Sequence, residues 1–109
     1  MSPTKPRITL LYFDGCPHWR LAEHRLGRAL AEIGVSPDLI EKRRITTPRE
    51  AEEAGFRGSP TIELNGRDPF EHEAGTIGMA CRMYGTAAGR EGAPALVDLV
   101  QALKEVQSP

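Results

Sequence analysis

The sequence predicts an α/β domain whose elements run strand, helix, strand, helix, strand, strand, helix around a mixed four-stranded sheet. Three observations carry that expectation. Residues 8–13 (ITLLYF) are almost continuously apolar, as in a strand buried on both faces. Residues 17–33 then switch to a helical period, and a second strand–helix pattern follows. Beyond it, two short strand-like runs are separated by a turn signal and a long polar loop, and an amphipathic helix closes the chain. At 109 residues the chain fits one domain with a single core.

The elements follow in order. Residues 1–6 hold two prolines among polar neighbours and are expected to be a flexible tail ahead of one domain over residues 7–107. After the first strand, Pro17 suits the first helical position because it has no N–H to leave unpaired. Ala22, Leu26, Ala29, Leu30 and Ile33 then form one helix face, and Gly34 stops it. Cys16 is thereby expected at the N-cap. Residues 39–45 read as a partly exposed strand carrying Lys42, Arg43 and Arg44. This first strand–helix–strand unit should be parallel with a right-handed crossover. Thr47-Pro48-Arg49-Glu50 is a capping box that opens a short helix ending at Gly55. Pro60 precedes a strand over residues 61–64, and Asn65-Gly66 is a turn signal. In residues 77–83, Ile77, Met79, Cys81 and Met83 alternate with smaller or polar residues. That pattern reads as a strand antiparallel to the one before it, with Cys81 on an apolar face. Residues 85–92 read as a loop, and residues 94–106 as a helix with Leu96, Leu99, Val100 and Leu103 on its buried stripe.

Bulk composition excludes several classes. The 14 basic and 15 acidic residues leave a net charge of −1, so there is no electrostatic case for nucleic acid or an anionic membrane. Two cysteines do not make a disulfide framework. No apolar stretch is long enough to span a bilayer or to serve as a signal peptide, so a soluble cytoplasmic protein with reduced thiols is expected. No cofactor is expected.

Cys16 is the residue with the clearest chemistry. A thiol at a helix start meets unpaired N–H groups and the positive end of the macrodipole, and both favour thiolate. His18 stands two residues on, placed to add positive charge or take the thiol proton. The plain alternative is a small cap with no chemistry, though Ser, Thr, Asp and Asn cap far better. Cys81 divides evenly between a buried core thiol and a partner that resolves oxidised Cys16. Its apolar neighbours tip the balance toward Cys16 acting as a monothiol. Trp19 reads as a packing residue or pocket wall, and Asp14 as a turn residue with an acid/base role open. Cys16, His18, His72 and Cys81 are soft and borderline metal donors, but no pair has zinc-finger spacing, so no metal site is expected.

The order of elements, with Cys16-Pro17-His18-Trp19 after the first strand and Gly58-Ser59-Pro60-Thr61 before the third, resembles the thioredoxin-like fold. The chain also looks like a group of small actinobacterial thioredoxin-like proteins that share "YFDGCP", "GSPT", "GRDPF" and a later "CRxY" (here CRMY), some of which carry an alkylmercury-lyase label. The resemblance spans roughly residues 7–106. It implies a cis Ser59–Pro60 bond beside Cys16, and substrate contacts from Trp19, Ser59 and Thr61. It implies a thiol oxidoreductase acting on a protein disulfide or a low-molecular-weight thiol, with Cys16, His18, Pro60 and Cys81 as the working residues. Trp19 stands where thioredoxins proper have their second cysteine, so a local C-x-x-C disulfide is ruled out. Two other readings stay open: handling of a soft metal or organomercurial by Cys16 and Cys81 with Asp14 as the acid, and a binding module without turnover. Oligomeric state is not legible.

Overall fold

The computed structural model describes residues 6–107. Strand β1 (Ile8–Tyr12) runs through the middle of a three-stranded sheet. It is flanked by β2 (Ile40–Arg44) in parallel and by β4 (Thr61–Leu64) in antiparallel register. The crossover from β1 to β2 is helix α1 (Trp19–Glu32), followed by a 3-10 turn at Pro37–Leu39 that Ser36 caps. Helix α2 (Pro48–Ala54) leads to a short strand, β3 (Arg57–Ser59), directly before β4. A 3-10 turn at Glu71–Glu73 lies within the long connection to β5 (Gly78–Cys81). A small hairpin of β6 (Tyr84–Thr86) and β7 (Gly89–Glu91) precedes helix α3 (Leu96–Gln107). Among the described residues, no helix is long and apolar enough to cross a membrane.

The apolar run of β1 is buried on both faces, as its sequence requires. Ile8 and Leu10 join the larger core with Ala22, Leu26, Leu30, Leu99 and Leu103, so α1 and α3 cover that face. Leu11 turns to the other side and packs with Ile45, Ala51 and Phe56 under α2. The local chemistry of α2 follows the sequence closely. The Thr47 hydroxyl accepts the Glu50 N–H at 3.1 Å, and Gly55 closes the helix in the left-handed conformation at φ 64°. The Glu50 carboxylate reaches one residue further back than a capping box, to the N–H and hydroxyl of Thr46, and these bonds hold it below the ordinary glutamate range.

Four expectations are corrected. The sheet is not four-stranded: β3 pairs with β5 in a separate two-stranded ladder, and that pairing is parallel. Pro60 has no N–H to donate, so the extended segment breaks there into β3 and β4. The Asn65–Gly66 turn, with both residues at positive φ, leads only to a single bridge between Leu64 and Arg67. The chain then crosses through residues 67–77, long enough for the parallel return that a tight hairpin forbids. Second, the helix N-cap is His18, not Cys16. The Arg20 N–H bonds the Pro17 carbonyl at 3.3 Å in a tight first turn, and Cys16 lies just ahead of it. Third, the apolar face read across residues 77–83 does not form one buried side, although Met79 packs partly buried on the smaller core. Ile77 is 47% exposed and Cys81 is exposed, whereas Arg82 and Tyr84 are buried. Fourth, the loop expected over residues 85–92 holds the β6–β7 hairpin. The tail expected over residues 1–6 lies outside the described residues apart from Pro6, which is buried.

Gly58 shows why β3 and β5 lie so close. Its φ is 111°, and a Cβ built there would stand 2.9 Å from the Arg82 Cβ. Gly58→Ala is therefore expected to cost about 1–3 kcal/mol through backbone strain and the clash, read as a lowered urea midpoint with an unchanged slope. An unaltered midpoint would mean that the two strands separate freely.

Candidate functional site

The two cysteines come together at one end of the β3–β5 ladder. Cys16 and Cys81 form a disulfide pair across a sequence separation of 65, with their Cα atoms 5.7 Å apart. That distance lies within the range a disulfide tolerates. The monothiol expectation is therefore corrected, and so is the alternative of Cys81 as a core thiol. Cys16 is fully buried and Cys81 is exposed.

Three constraints place the sulfurs. Residues 13–16 form a turn in which the Cys16 N–H bonds the Phe13 carbonyl at 3.3 Å. A Cβ at Gly15 would strike the Phe13 ring, so the turn leaves room for glycine there. Ser59 ties this turn to β3, because its hydroxyl accepts the Phe13 N–H at 3.3 Å. The Ser59 carbonyl lies 3.7 Å from Cys16 Sγ, a contact that becomes an S–H···O hydrogen bond when the thiol is free. Ser59 also pairs with Cys81 across the ladder, and its carbonyl accepts the Arg82 N–H at 2.9 Å. One residue thus positions both cysteines.

The third constraint is Arg82, which sequence reasoning missed. Its side chain is 2% exposed, and its Nη1 meets Asp68 Oδ2 at 2.7 Å. Nη1 also donates to the Thr61 hydroxyl at 3.3 Å, and Nη2 to the Phe70 carbonyl at 2.7 Å. Its guanidinium carbon sits 4.6 Å from the centroid of the Tyr84 ring. Phe70 packs edge-on to the same ring and enters the main core. The network anchors the long connection and fixes the end of β5, where Cys81 sits. The only hint in the sequence is an arginine inside an alternating apolar run.

The other candidate residues fall as follows. The Ser59–Pro60 bond is cis, and the Pro60 carbonyl accepts from the Tyr84 hydroxyl. Burial pushes the Tyr84 phenol far up, so it stays protonated and keeps donating. Thr61 is buried, and its hydroxyl donates to the Gly58 carbonyl at 2.6 Å. Trp19 stacks on Tyr12 with centroids 4.5 Å apart, under the cations of Arg20 and Lys42. Asp14 is exposed and pairs with Arg44 at 3.1 Å.

His18 is drawn into the site. A ring nitrogen of His18 and the two sulfurs all lie within 4.8 Å of one another. The imidazole presses on Gly92, where any Cβ would overlap the ring. The segment bearing Gly92 is held by Arg25, which pairs with Glu91 at 3.2 Å and donates to the Ala93 and Pro94 carbonyls. His72 is not part of this group; it lines a depression of about 560 Å3 with Asn65, Pro69 and Glu105. Cys81 itself opens onto a groove of about 330 Å3, whose walls include Arg57, Gly58, Thr76, Met83 and Arg90.

No protein-family model matches this chain, and no curated protein matches it either.

Proposed function

We propose that the protein is a thiol–disulfide oxidoreductase of the thioredoxin-like class that works through a non-local cysteine pair. The observation that carries this reading is the Cys16–Cys81 pair itself, with one sulfur buried and the other at the surface. The α/β order of the elements, and the segment before β4 that brings the Ser59 carbonyl to 3.7 Å from the buried sulfur, support the class.

On this reading the asymmetry of exposure favours Cys81 as the sulfur that meets the partner. A partner thiolate reaches Cys81 Sγ, forms a mixed disulfide there, and breaks the bond to Cys16. The electron pair of that bond leaves on Cys16 as thiolate, which takes up a proton. A second thiol then attacks the partner's sulfur in the mixed disulfide. The partner departs as a disulfide, and Cys81 is left as thiolate. In the reducing direction Cys81 attacks first and Cys16 resolves. The roles are the reverse of those that the sequence suggests, where Cys16 meets the substrate.

The groove beside Cys81 bears on partner choice. Arg57 and Arg90 line it, which suits a low-molecular-weight thiol carrying carboxylates or an acidic segment of a protein partner. The Ser59 carbonyl is already taken by the Arg82 N–H, so docking falls to the groove more than to that backbone edge.

The test is trapping. Cys16→Ser, treated with an oxidised low-molecular-weight thiol, should accumulate a stable mixed disulfide at Cys81. Cys81→Ser should leave Cys16 at least about tenfold slower to modify in the native state, because burial blocks approach. Equal rates at the two cysteines, or no exchange at either, would overturn the assignment.

A further inference from the structure

We propose that the reduced protein binds one thiophilic divalent cation, with Cys16 Sγ, Cys81 Sγ and a ring nitrogen of His18 as ligands and Zn2+ as the ion these donors suit best. The inference uses the same two sulfurs but does not rest on their exchange chemistry, since a metal site needs no turnover.

Three observations lead to it. The ligand atoms come from three different segments, yet all lie within 4.8 Å of one another. A tetrahedral zinc with Zn–S of about 2.3 Å and Zn–N of about 2.0–2.1 Å holds its donors roughly 3.6–3.8 Å apart, so small side-chain movements suffice. Second, His18 Nδ1 is buried and has no hydrogen-bond partner among the described residues. The ring is pinned against Gly92 and cannot readily turn to find one. Third, burial grades across the group, from Cys16 inside through His18 to Cys81 at the surface. Three protein ligands with one open side is the arrangement that leaves a fourth position for water or a small ligand. Asp14, the nearest acid in sequence, is engaged with Arg44, so the donor set is sulfur and nitrogen, which selects a borderline-soft ion over magnesium or calcium.

The chemistry also supplies a reason. Breaking the disulfide places two thiols side by side in a partly buried site. Both can ionise together only if something cancels their mutual repulsion, and a divalent cation does so. Binding releases the two thiol protons and moves no electrons. Oxidation reverses it: an incoming disulfide takes two electrons from the two thiolates, leaves as two thiolates of its own, and the cation departs as the Cys16–Cys81 bond re-forms. Metal and disulfide are therefore mutually exclusive occupants of one place.

Two measurements test this. Protein kept reduced by a phosphine should take up one equivalent of Zn2+ against a chromogenic chelator, and the oxidised protein should take up none at the same concentrations. Loaded with Co2+ instead, the reduced wild-type protein should show sulfur-to-cobalt charge-transfer absorption. His18→Ala and His18→Gln should each weaken zinc binding by about tenfold or more, because losing even an outer-sphere partner costs about that much. Cys81→Ser should abolish stoichiometric binding, and His72→Ala should leave it unchanged. The proposal fails if reduced wild-type protein gives no charge-transfer band, if oxidised protein binds zinc equally well, or if both His18 variants bind as tightly as wild type. Disulfide exchange assayed in the presence of a chelator separates its failure from failure of the oxidoreductase reading.

Discussion

Asp68→Ala should destabilise the protein by about 3–5 kcal/mol, the loss seen when one partner of a buried ion pair is removed. The reason lies in what stays behind. Arg82 is 3% exposed, and among the described residues no other carboxylate is bonded to its guanidinium. Asp68 is its counter-ion at 2.7 Å, and the same carboxylate accepts the Phe70 N–H at 2.8 Å through its other oxygen. Truncation would leave a buried cation facing the Thr61 hydroxyl, the Phe70 carbonyl and the Tyr84 ring, with no counter-charge bonded to it among the described residues. It would also release the start of the Glu71–Glu73 turn. Against a total stability of roughly 5–15 kcal/mol, that loss is a large fraction. Urea denaturation measures it directly. The double variant Asp68→Leu/Arg82→Met should recover most of the loss, since an apolar replacement of a buried pair is often neutral. If Asp68→Ala loses less than about 1 kcal/mol, the pair behaves as a surface contact and does not anchor β5.

Reduction of the Cys16–Cys81 pair should lower stability by a comparable amount, about 4 kcal/mol. The bond closes a loop spanning a sequence separation of 65, and constraint of the unfolded chain over such a loop has roughly that value. Native packing around the cysteines changes little on reduction, because Cys16 keeps the Ser59 carbonyl as its partner and the β3–β5 ladder persists. The effect should therefore appear in the denatured state, as a lower urea midpoint and a slope altered by a more expanded unfolded chain. Cys81→Ser under oxidising conditions should match the reduced wild type. Identical midpoints for oxidised and reduced protein would show that the bond does not form in solution.

Where the sequence carried local chemistry, it was readable. Thr47, Pro48 and Gly55 bound α2 because capping and left-handed turns depend on residues a few positions apart. The run Ile8–Tyr12 showed its two-sided burial for the same reason: the pattern lies within the strand. The pairing of β5 was not readable in this way. Its direction depends on a crossing segment with little apolar pattern, and its facing is set by Arg82, whose counter-ion is fourteen positions away in that segment. Period-two alternation cannot tell which of two faces is buried when one of them carries a charge that the fold neutralises. The consequence reached the candidate site. Cys16 and Cys81 were both visible as thiols, and His18 as a possible aid, but the meeting of all three depended on Ser59, Gly58 and Gly92. The two glycines act through missing side chains, and Ser59 through its carbonyl and a hydroxyl bond to a residue 46 positions away, so neither effect shows as a local pattern.

Strand β2 carries Glu41, Lys42, Arg43 and Arg44 exposed along the outer margin of the three-stranded sheet. Among the described residues, no other strand pairs with the backbone donors and acceptors of its far side. Such a margin is a template onto which a second chain can add, the first step toward fibrillar association. Three adjacent cations make that step repulsive for an identical copy added in parallel register, since like charges would then face one another across the new ladder. Lys42 also leans back to Glu23 of α1 at 3.0 Å, which keeps its long side chain draped along the margin. The basic run that looks like an ordinary wetted surface therefore also opposes that one mode of self-addition.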